Sequence, residues 1–178
     1  IVRWQDRIYP PAPLAAQPQT TFLDTHTLNV GGETLTLGYM LQAHTDGDIY
    51  AHFPERKVLM AGGALSTDSW PVIDWSTAGW IGGMVKALDT LIALCDESTI
   101  IVPSTGAPTD RAELIKQQVM YTDIMAKLNI MMEKGYGITD VLREAPTAPY
   151  KPRWQGAQQF LALAFKSFWG HVRQFEGV

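Results

Sequence analysis

Gln42-Ala-His-Thr-Asp-Gly-Asp48, followed by residues 49–63, is the stretch that decides our interpretation of this 178-residue chain. It places a histidine, two carboxylates and a glycine turn between two strand-like segments. Residues 49–53 are apolar and aromatic, residues 54–57 are Pro-Glu-Arg-Lys, and residues 58–61 are wholly apolar. Such runs are typical of strands separated by a charged turn. The pattern predicts a turn that presents polar side chains at the ends of paired strands.

Upstream of this turn, the sequence predicts an antiparallel hairpin. Residues 22–30 are rich in Thr, Phe, Leu and Val, Gly31-Gly32 is a two-residue turn signal, and residues 33–43 resume the strand pattern;. Residues 1–19 carry four prolines among alanines, a composition that favours extended backbone and cannot support a helix;. We predict that this Pro-rich segment is a strap laid across a surface.

Downstream of the turn, the pattern changes from strands to helices. Apolar residues at helical spacing predict a helix over 80–94, and Asp110 with Glu113 caps a long helix that should stop at Gly135;. Residues 99–102 resemble a buried strand, and shorter helices are predicted over 139–145 and about 157–175;. This order predicts one α+β domain over 1–178, with a mainly antiparallel sheet covered by helices on one face.

Composition narrows the possible classes of function. The chain is 46% hydrophobic, enough for one globular core, and its net charge of -4 without a cluster of Lys or Arg argues against nucleic acid as a partner;. Cys95 is the only cysteine, which excludes an intrachain disulfide and a thiolate-rich zinc site;. No apolar run reaches the roughly 20 residues that cross a bilayer. Because the sequence begins at Ile1 rather than Met, we expect a removed leader or an upstream segment, and an exported or periplasmic location is favoured over a cytoplasmic one;.

The central turn and two later segments together resemble the second half of metallo-β-lactamase-fold hydrolases. His44-Thr-Asp-Gly-Asp48 is similar to the family's turn with a metal-ligand histidine, and Val-Leu-Met-Ala-Gly-Gly at 58–63 is similar to a strand ending in V-L-F-x-G-D. Ile101-Val-Pro-Ser-Thr-Gly-Ala-Pro108 resembles the segment I-x-P-G-H-G-P. The resemblance covers residues 20–134 and implies the second half of an αββα sandwich.

The same resemblance implies that several metal ligands are missing from this chain. The family's aspartate falls at Gly63, its late histidine falls at Thr105, and its H-x-H-x-D-H motif would lie before Ile1. Glycine has no ligand atom, and threonine is a poor zinc ligand. The resemblance therefore implies an atypical, metal-dependent hydrolase of small molecules, in which zinc is possible and His44 is one ligand. It also implies that a missing N-terminal half, or another subunit, covers an apolar sheet face that would otherwise be open.

From the residues alone, the role of the turn stays open. A hydrolytic zinc site usually needs three protein ligands, and only Asp46, Asp48 and His52 lie near His44 in the sequence;. No H-x-H or H-x-x-x-H pair is present, so a complete site within this chain is not expected. The alternative is that the aspartates stabilise the turn by accepting hydrogen bonds from backbone amides, and that His44 is a hydrogen-bonded residue at a strand end.

The aromatic loop after the strand predicted at residues 58–61 is the other candidate for function. Trp70, Trp75 and Trp80 follow the strand that ends at Gly63, and tryptophans offer large apolar contact with one hydrogen-bond donor;. We predict that they line the substrate cleft; the alternative is that they fill the junction between helices and sheet. Two functions therefore remain: an atypical hydrolase, or a metal-free pseudoenzyme that acts as a binding or structural protein.

Overall fold

The main sheet has five strands in the same spatial order as in the sequence. The computed structural model describes residues 2–4, 7–150 and 154–175. A separate two-stranded hairpin pairs Val2–Trp4 (β1) with Arg7–Tyr9 (β2). The main sheet consists of Thr25–Val30 (β3), Glu33–Tyr39 (β4), Ile49–Phe53 (β5), Val58–Met60 (β6) and Ile100–Val102 (β7). Strands β3 to β6 are antiparallel to their neighbours, and β7 runs parallel to β6 after a helical crossover.

Four helices accompany the sheet in the part of the chain that the structure describes. They are Ile81–Leu94 (α1), Arg111–Glu133 (α2), Ile138–Glu144 (α3) and Ala157–Phe175 (α4). The predicted N-cap of α2 is confirmed, since the Asp110 carboxylate accepts a hydrogen bond from the Glu113 amide at 3.0 Å;. Within the described ranges, no helix combines the length and apolarity needed to cross a membrane. The predicted α+β class is confirmed.

The two faces of the sheet differ in exposure. Tyr50, Leu59 and Ile101 point to the helical side, where they join the hydrophobic core and are at most 5% exposed. Their neighbours along the strands point the other way, because successive side chains alternate between faces. On that side Ile49 is 43%, Met60 45% and Ile100 53% exposed. The described part of the chain therefore covers one face of the sheet with helices and leaves an apolar face open.

Several predicted boundaries were wrong by a few residues. The first strand of the hairpin begins at Thr25 rather than 22, and the second ends at Tyr39 rather than 43, because residues 40–48 form the turn. In the Pro-rich segment, Leu14–Ala16 forms one 3-10 turn where none was predicted, and Pro13 supplies its entry with φ -60°;. Residues 10–21 are exposed. That the segment is a strap across another surface stays a prediction.

Candidate functional site

The turn between β4 and β5 presents His44 on a frame of internal hydrogen bonds. The Met40 amide donates to the Asp48 carbonyl at 2.9 Å, and the Thr45 amide donates to Asp48 Oδ2 at 2.6 Å. Asp48 Oδ1 lies 3.9 Å from His44 Nδ1. The Asp48 side chain is 9% exposed and that of His44 is 32% exposed. The carboxylate is thus built into the turn while the imidazole stays accessible.

The two aspartates of the turn accept side-chain hydrogen bonds from different kinds of donor. The prediction that they stabilise the turn by accepting from backbone amides is confirmed for Asp48. Asp46 instead accepts from the Tyr39 hydroxyl at 2.7 Å through Oδ1. Burial, followed by this hydrogen bond to Asp46, raises the pKa of Tyr39 to about 12, so the phenol remains a donor at neutral pH;. Both carboxylates are therefore engaged in holding the turn.

Gly63 lies directly against the His44 side chain. A Cβ atom placed on Gly63 would be 2.9 Å from His44 Cγ and 3.0 Å from Asp48 Oδ1. The position where the family's aspartate falls is therefore next to His44, as a shared metal site would require. In this chain, however, the imidazole and the Asp48 carboxylate occupy the space that a side chain at 63 would need. The packing around position 63 is fitted to glycine.

Thr105 belongs to a cluster of hydroxyl groups that joins the loops after β6 and β7. Its Oγ1 lies 2.8 Å from Ser66 Oγ, which also lies 3.0 Å from Ser69 Oγ and donates to Asp68 Oδ1 at 3.2 Å. Hydrogen bonds, that from Thr105 foremost, lower the pKa of Asp68. The Thr67 amide adds a backbone bond to the Thr105 carbonyl at 3.0 Å. Where the family has a metal-ligand histidine, this chain holds its two loops together with hydroxyls.

The acidic, histidine and cysteine side chains that the structure describes do not gather into a metal site. No group of three or more His, Cys, Asp or Glu side chains with the spacing of a metal site occurs in ranges 2–4, 7–150 and 154–175. His52 pairs across the sheet with Thr36 and Leu59, and burial lowers its pKa. The residues that the structure describes do not provide a complete metal site.

The three tryptophans of the aromatic loop have different surroundings. Trp70 is 6% exposed, and its ring centroid lies 4.7 Å from Phe160 and 5.4 Å from Trp154. Trp80 stacks on His171 of α4 at 3.8 Å. Trp75 is 41% exposed. The contacts of Trp70 and Trp80 are those of the packing alternative, and a substrate-lining role for any of the three stays a prediction.

The sequence did not predict that residues 74–83 hold the His44 turn by backbone hydrogen bonds. The Asp74 amide donates to the His44 carbonyl at 2.9 Å, and the Trp80 amide donates to the Ala43 carbonyl at 3.1 Å. Gly79 and Gly83 lie in the same segment and approach the turn closely. The only sequence signal was the number of glycines around the start of α1, which periodicity alone interprets as a weak first helical turn.

Comparison with known proteins gives a fold and no closer relationship. No family model matches the chain, and no curated protein matches it. Among solved structures, it is similar to a double mutant of the sec-alkyl sulfatase PisA1, known from Pseudomonas sp., with a TM-score of 0.69 and 15% identity over 86% of this chain and 27% of that one. A metallo-β-lactamase family protein from Thermus thermophilus gives a TM-score of 0.60 and 18% identity over 91% of this chain and 51% of that one.

A third structure agrees with these two. A metallo-β-lactamase from Pontibacter korlensis matches with a TM-score of 0.50 and 19% identity, over 61% of this chain and 50% of that one. The chain therefore has the metallo-β-lactamase fold, in the form of an α+β half of that architecture. It spans between 27% and 51% of the lengths of these three structures.

Proposed function

We propose that this chain is one half of an atypical, metal-dependent hydrolase with the metallo-β-lactamase fold. The observation that carries the proposal is the His44 side chain, an accessible imidazole backed by the Asp48 carboxylate at 3.9 Å. Metal-ligating histidines commonly direct one ring nitrogen at the metal while the other faces a carboxylate. Asp48 Oδ1 lies on the Nδ1 side of the His44 ring, beyond hydrogen-bond distance at 3.9 Å, so we assign Nε2 as the nitrogen that a metal ion would take;.

Zinc is the metal that suits this donor. Neutral imidazole is a preferred zinc ligand, and a catalytic zinc ion with three protein ligands lowers the pKa of its bound water to about 7. In this proposal His44 supplies one of the three ligands, and the other two come from the second half of the sandwich. Gly63 and Thr105 offer neither carboxylate nor imidazole, so the proposal is for a single metal ion.

The open face of the sheet supports a second layer as the partner. Ile49, Met60 and Ile100 lie exposed on adjacent strands, and soluble proteins rarely leave a contiguous apolar surface of that kind uncovered;. Two sheets that pack face to face interdigitate their apolar side chains at a spacing of about 10 Å. An N-terminal half of the same fold, or another subunit, would cover this face and bring the missing ligands to His44.

Trp75 is the aromatic residue that we place next to a small-molecule substrate. Its side chain is 41% exposed, and the preceding residue, Asp74, is hydrogen-bonded through its amide to the His44 carbonyl. An exposed indole beside the ligand turn offers apolar contact and one hydrogen-bond donor to a bound molecule. The fold does not fix the class of this molecule, because one fold hosts many activities.

The test is the metal content of the purified full-length protein. We expect about one zinc ion per chain by elemental analysis, because three protein ligands suffice for one catalytic ion. His44→Ala should lose most of this zinc. His26→Ala is the matched control, since His26 lies on β3 and its ring stacks on Phe22 at 5.7 Å, within another part of the sheet. Protein without stoichiometric zinc, iron or manganese, or an unchanged metal content in His44→Ala, contradicts the proposal.

A metal-free binding or structural protein is the second candidate. It is favoured by the cluster of Ser66, Ser69 and Thr105, whose hydroxyl groups link the loops after β6 and β7 by hydrogen bonds. It is also favoured by the glycine at 63, whose place beside His44 leaves no room for a bridging carboxylate. If this candidate is right, a chelator will leave the urea unfolding curve of the full-length protein unchanged. The hydrolase proposal expects the chelator to lower the midpoint, because removing a bound metal removes its stabilisation of the folded state.

A further inference from the structure

The backbone of the His44 turn is held by residues 74–83, which run from the aromatic loop into the first turn of α1. The Asp74 amide donates to the His44 carbonyl at 2.9 Å, the Asp46 amide donates to the Thr77 carbonyl at 2.8 Å, and the Trp80 amide donates to the Ala43 carbonyl at 3.1 Å. These bonds run in both directions between the two segments. The turn therefore cannot shift relative to residues 74–83 without losing several backbone hydrogen bonds.

Two glycines permit this close contact. A Cβ atom at Gly79 would lie 2.1 Å from the His44 carbonyl oxygen, and one at Gly83 would lie 1.8 Å from the Gln42 carbonyl oxygen. Both partners are backbone atoms, so no change of rotamer can relieve the overlap. Neither glycine has a positive φ, which means that the space, and not the backbone conformation, requires glycine at these two positions;.

The far side of this segment is fixed by α4. The Ile81 amide, at the start of α1, donates to Ser167 Oγ at 3.4 Å in a buried position, and the Trp80 ring stacks on His171 at 3.8 Å. On the near side, Gln42 has φ 51°, a conformation that a residue with a side chain rarely adopts and that persists only when its surroundings impose it;. The segment is thus clamped between α4 and the turn.

We propose that Gly79 and Gly83 are positioning residues for His44, because they let residues 74–83 pack directly against the backbone that carries the imidazole. The proposal builds on the proposed function, in which His44 is a metal ligand. A methyl group at either position would have to move the turn by about 1 Å to restore an ordinary contact, and outer-shell changes of this kind weaken metal binding by about 10- to 100-fold.

The experiment compares Gly79→Ala and Gly83→Ala with Gly47→Ala in the full-length protein. Gly47 is the matched control, since it lies in the same turn but an added Cβ would meet only Thr45 Oγ1, at 3.8 Å. The first readout is the NMR signal of the His44 ring, including the nuclear Overhauser effect between His44 and Gly63, whose Cβ position is 3.0 Å from His44 Cβ. The second readout is the affinity for zinc, with the urea midpoint measured alongside.

We expect both alanine variants at 79 and 83 to lose or shift the His44 signals and to bind zinc about 10- to 100-fold more weakly, while Gly47→Ala stays within about twofold of the natural protein. Folded variants with unchanged His44 signals and unchanged affinity overturn the proposal. If the natural protein binds no zinc, the proposed function fails, and the NMR comparison alone still decides whether the two glycines position His44.

A measurement on the natural protein applies if neither variant folds. The amides of Asp46, Asp74 and Trp80 should then exchange with solvent slowly, because each donates to the opposite segment;. Protected amides support the clamp between residues 74–83 and the turn. Fast exchange at these three amides means that the turn moves independently of the segment, and it overturns the proposal.

Discussion

Replacing Trp70 by alanine should destabilise the fold by about 3–5 kcal/mol, the usual cost of truncating a buried tryptophan. Trp70 is 6% exposed, stacks on Phe160 at 4.7 Å and meets the edge of Trp154 at 5.4 Å. A tryptophan buries about 150–250 Å² of surface, and aromatic pairs of this kind add about 0.5–1.5 kcal/mol beyond the buried area. The loss comes from the contacts of the aromatic loop with Phe160 in α4 and with Trp154, which precedes α4.

Urea unfolding followed by circular dichroism measures the effect. Trp75→Ala is the control, because Trp75 is 41% exposed and its truncation should cost less than about 1 kcal/mol;. Trp70→Phe should fall between the two, since it keeps a ring in contact with Phe160 and removes an indole nitrogen that lacks a hydrogen-bond partner among the described residues. If Trp70→Ala unfolds at the same urea concentration as the natural protein but loses ligand binding, Trp70 lines a cleft and the packing account is wrong.

Three further substitutions test hydrogen bonds and a backbone conformation that we expect to affect the stability of the fold. Ser66→Ala should lower the free energy of unfolding by about 1–2 kcal/mol in urea titrations, because a buried hydroxyl with several partners is removed;. Ala145→Gly should raise the melting temperature by stabilising the fold by about 1 kcal/mol, because Ala145 has φ 48° at the end of α3;. Asp96→Asn should lower stability at neutral pH by an amount that shrinks as the pH falls below about 4, the ordinary pKa of an aspartate. Hydrogen bonds from Ser98 and Lys57 lower the pKa of Asp96 in the folded state, so its stabilisation is present above that ordinary pKa and is lost on acidification towards the lowered folded pKa.

The strands and helices with strong local signals could be predicted from the sequence. Gly31-Gly32 supplies the positive φ values that a tight hairpin turn needs, and the pairing of Val30 with Glu33 closes the hairpin at that turn;. The cap at Asp110 fixed the start of α2 in the same way. Segments that depend on distant partners were less predictable. For example, β4 ends at Tyr39 because the chain after it bends towards residues 74–83.

The candidate site was predictable where a single side chain carries the signal. His44 could be singled out from its place in the turn. The family motif aligned Gly63 with a ligand position, and Gly63 lies against the His44 side chain. The support of the turn was not predictable, because it consists of backbone contacts between residues about 35 positions apart and of glycines that periodicity cannot interpret. The stacking of Trp80 on His171 likewise joins residues from distant parts of the chain.

The central claim is that His44 binds a metal ion, and anomalous X-ray scattering from crystals of the zinc-loaded full-length protein tests it most directly. Data collected on both sides of the zinc absorption edge locate the ion without assuming a ligand. We predict one zinc peak about 2.0–2.1 Å from Nε2 of His44, the ordinary zinc–imidazole distance. A well-ordered His44 with no zinc peak beside it, or a peak bound only to other residues, would contradict the claim.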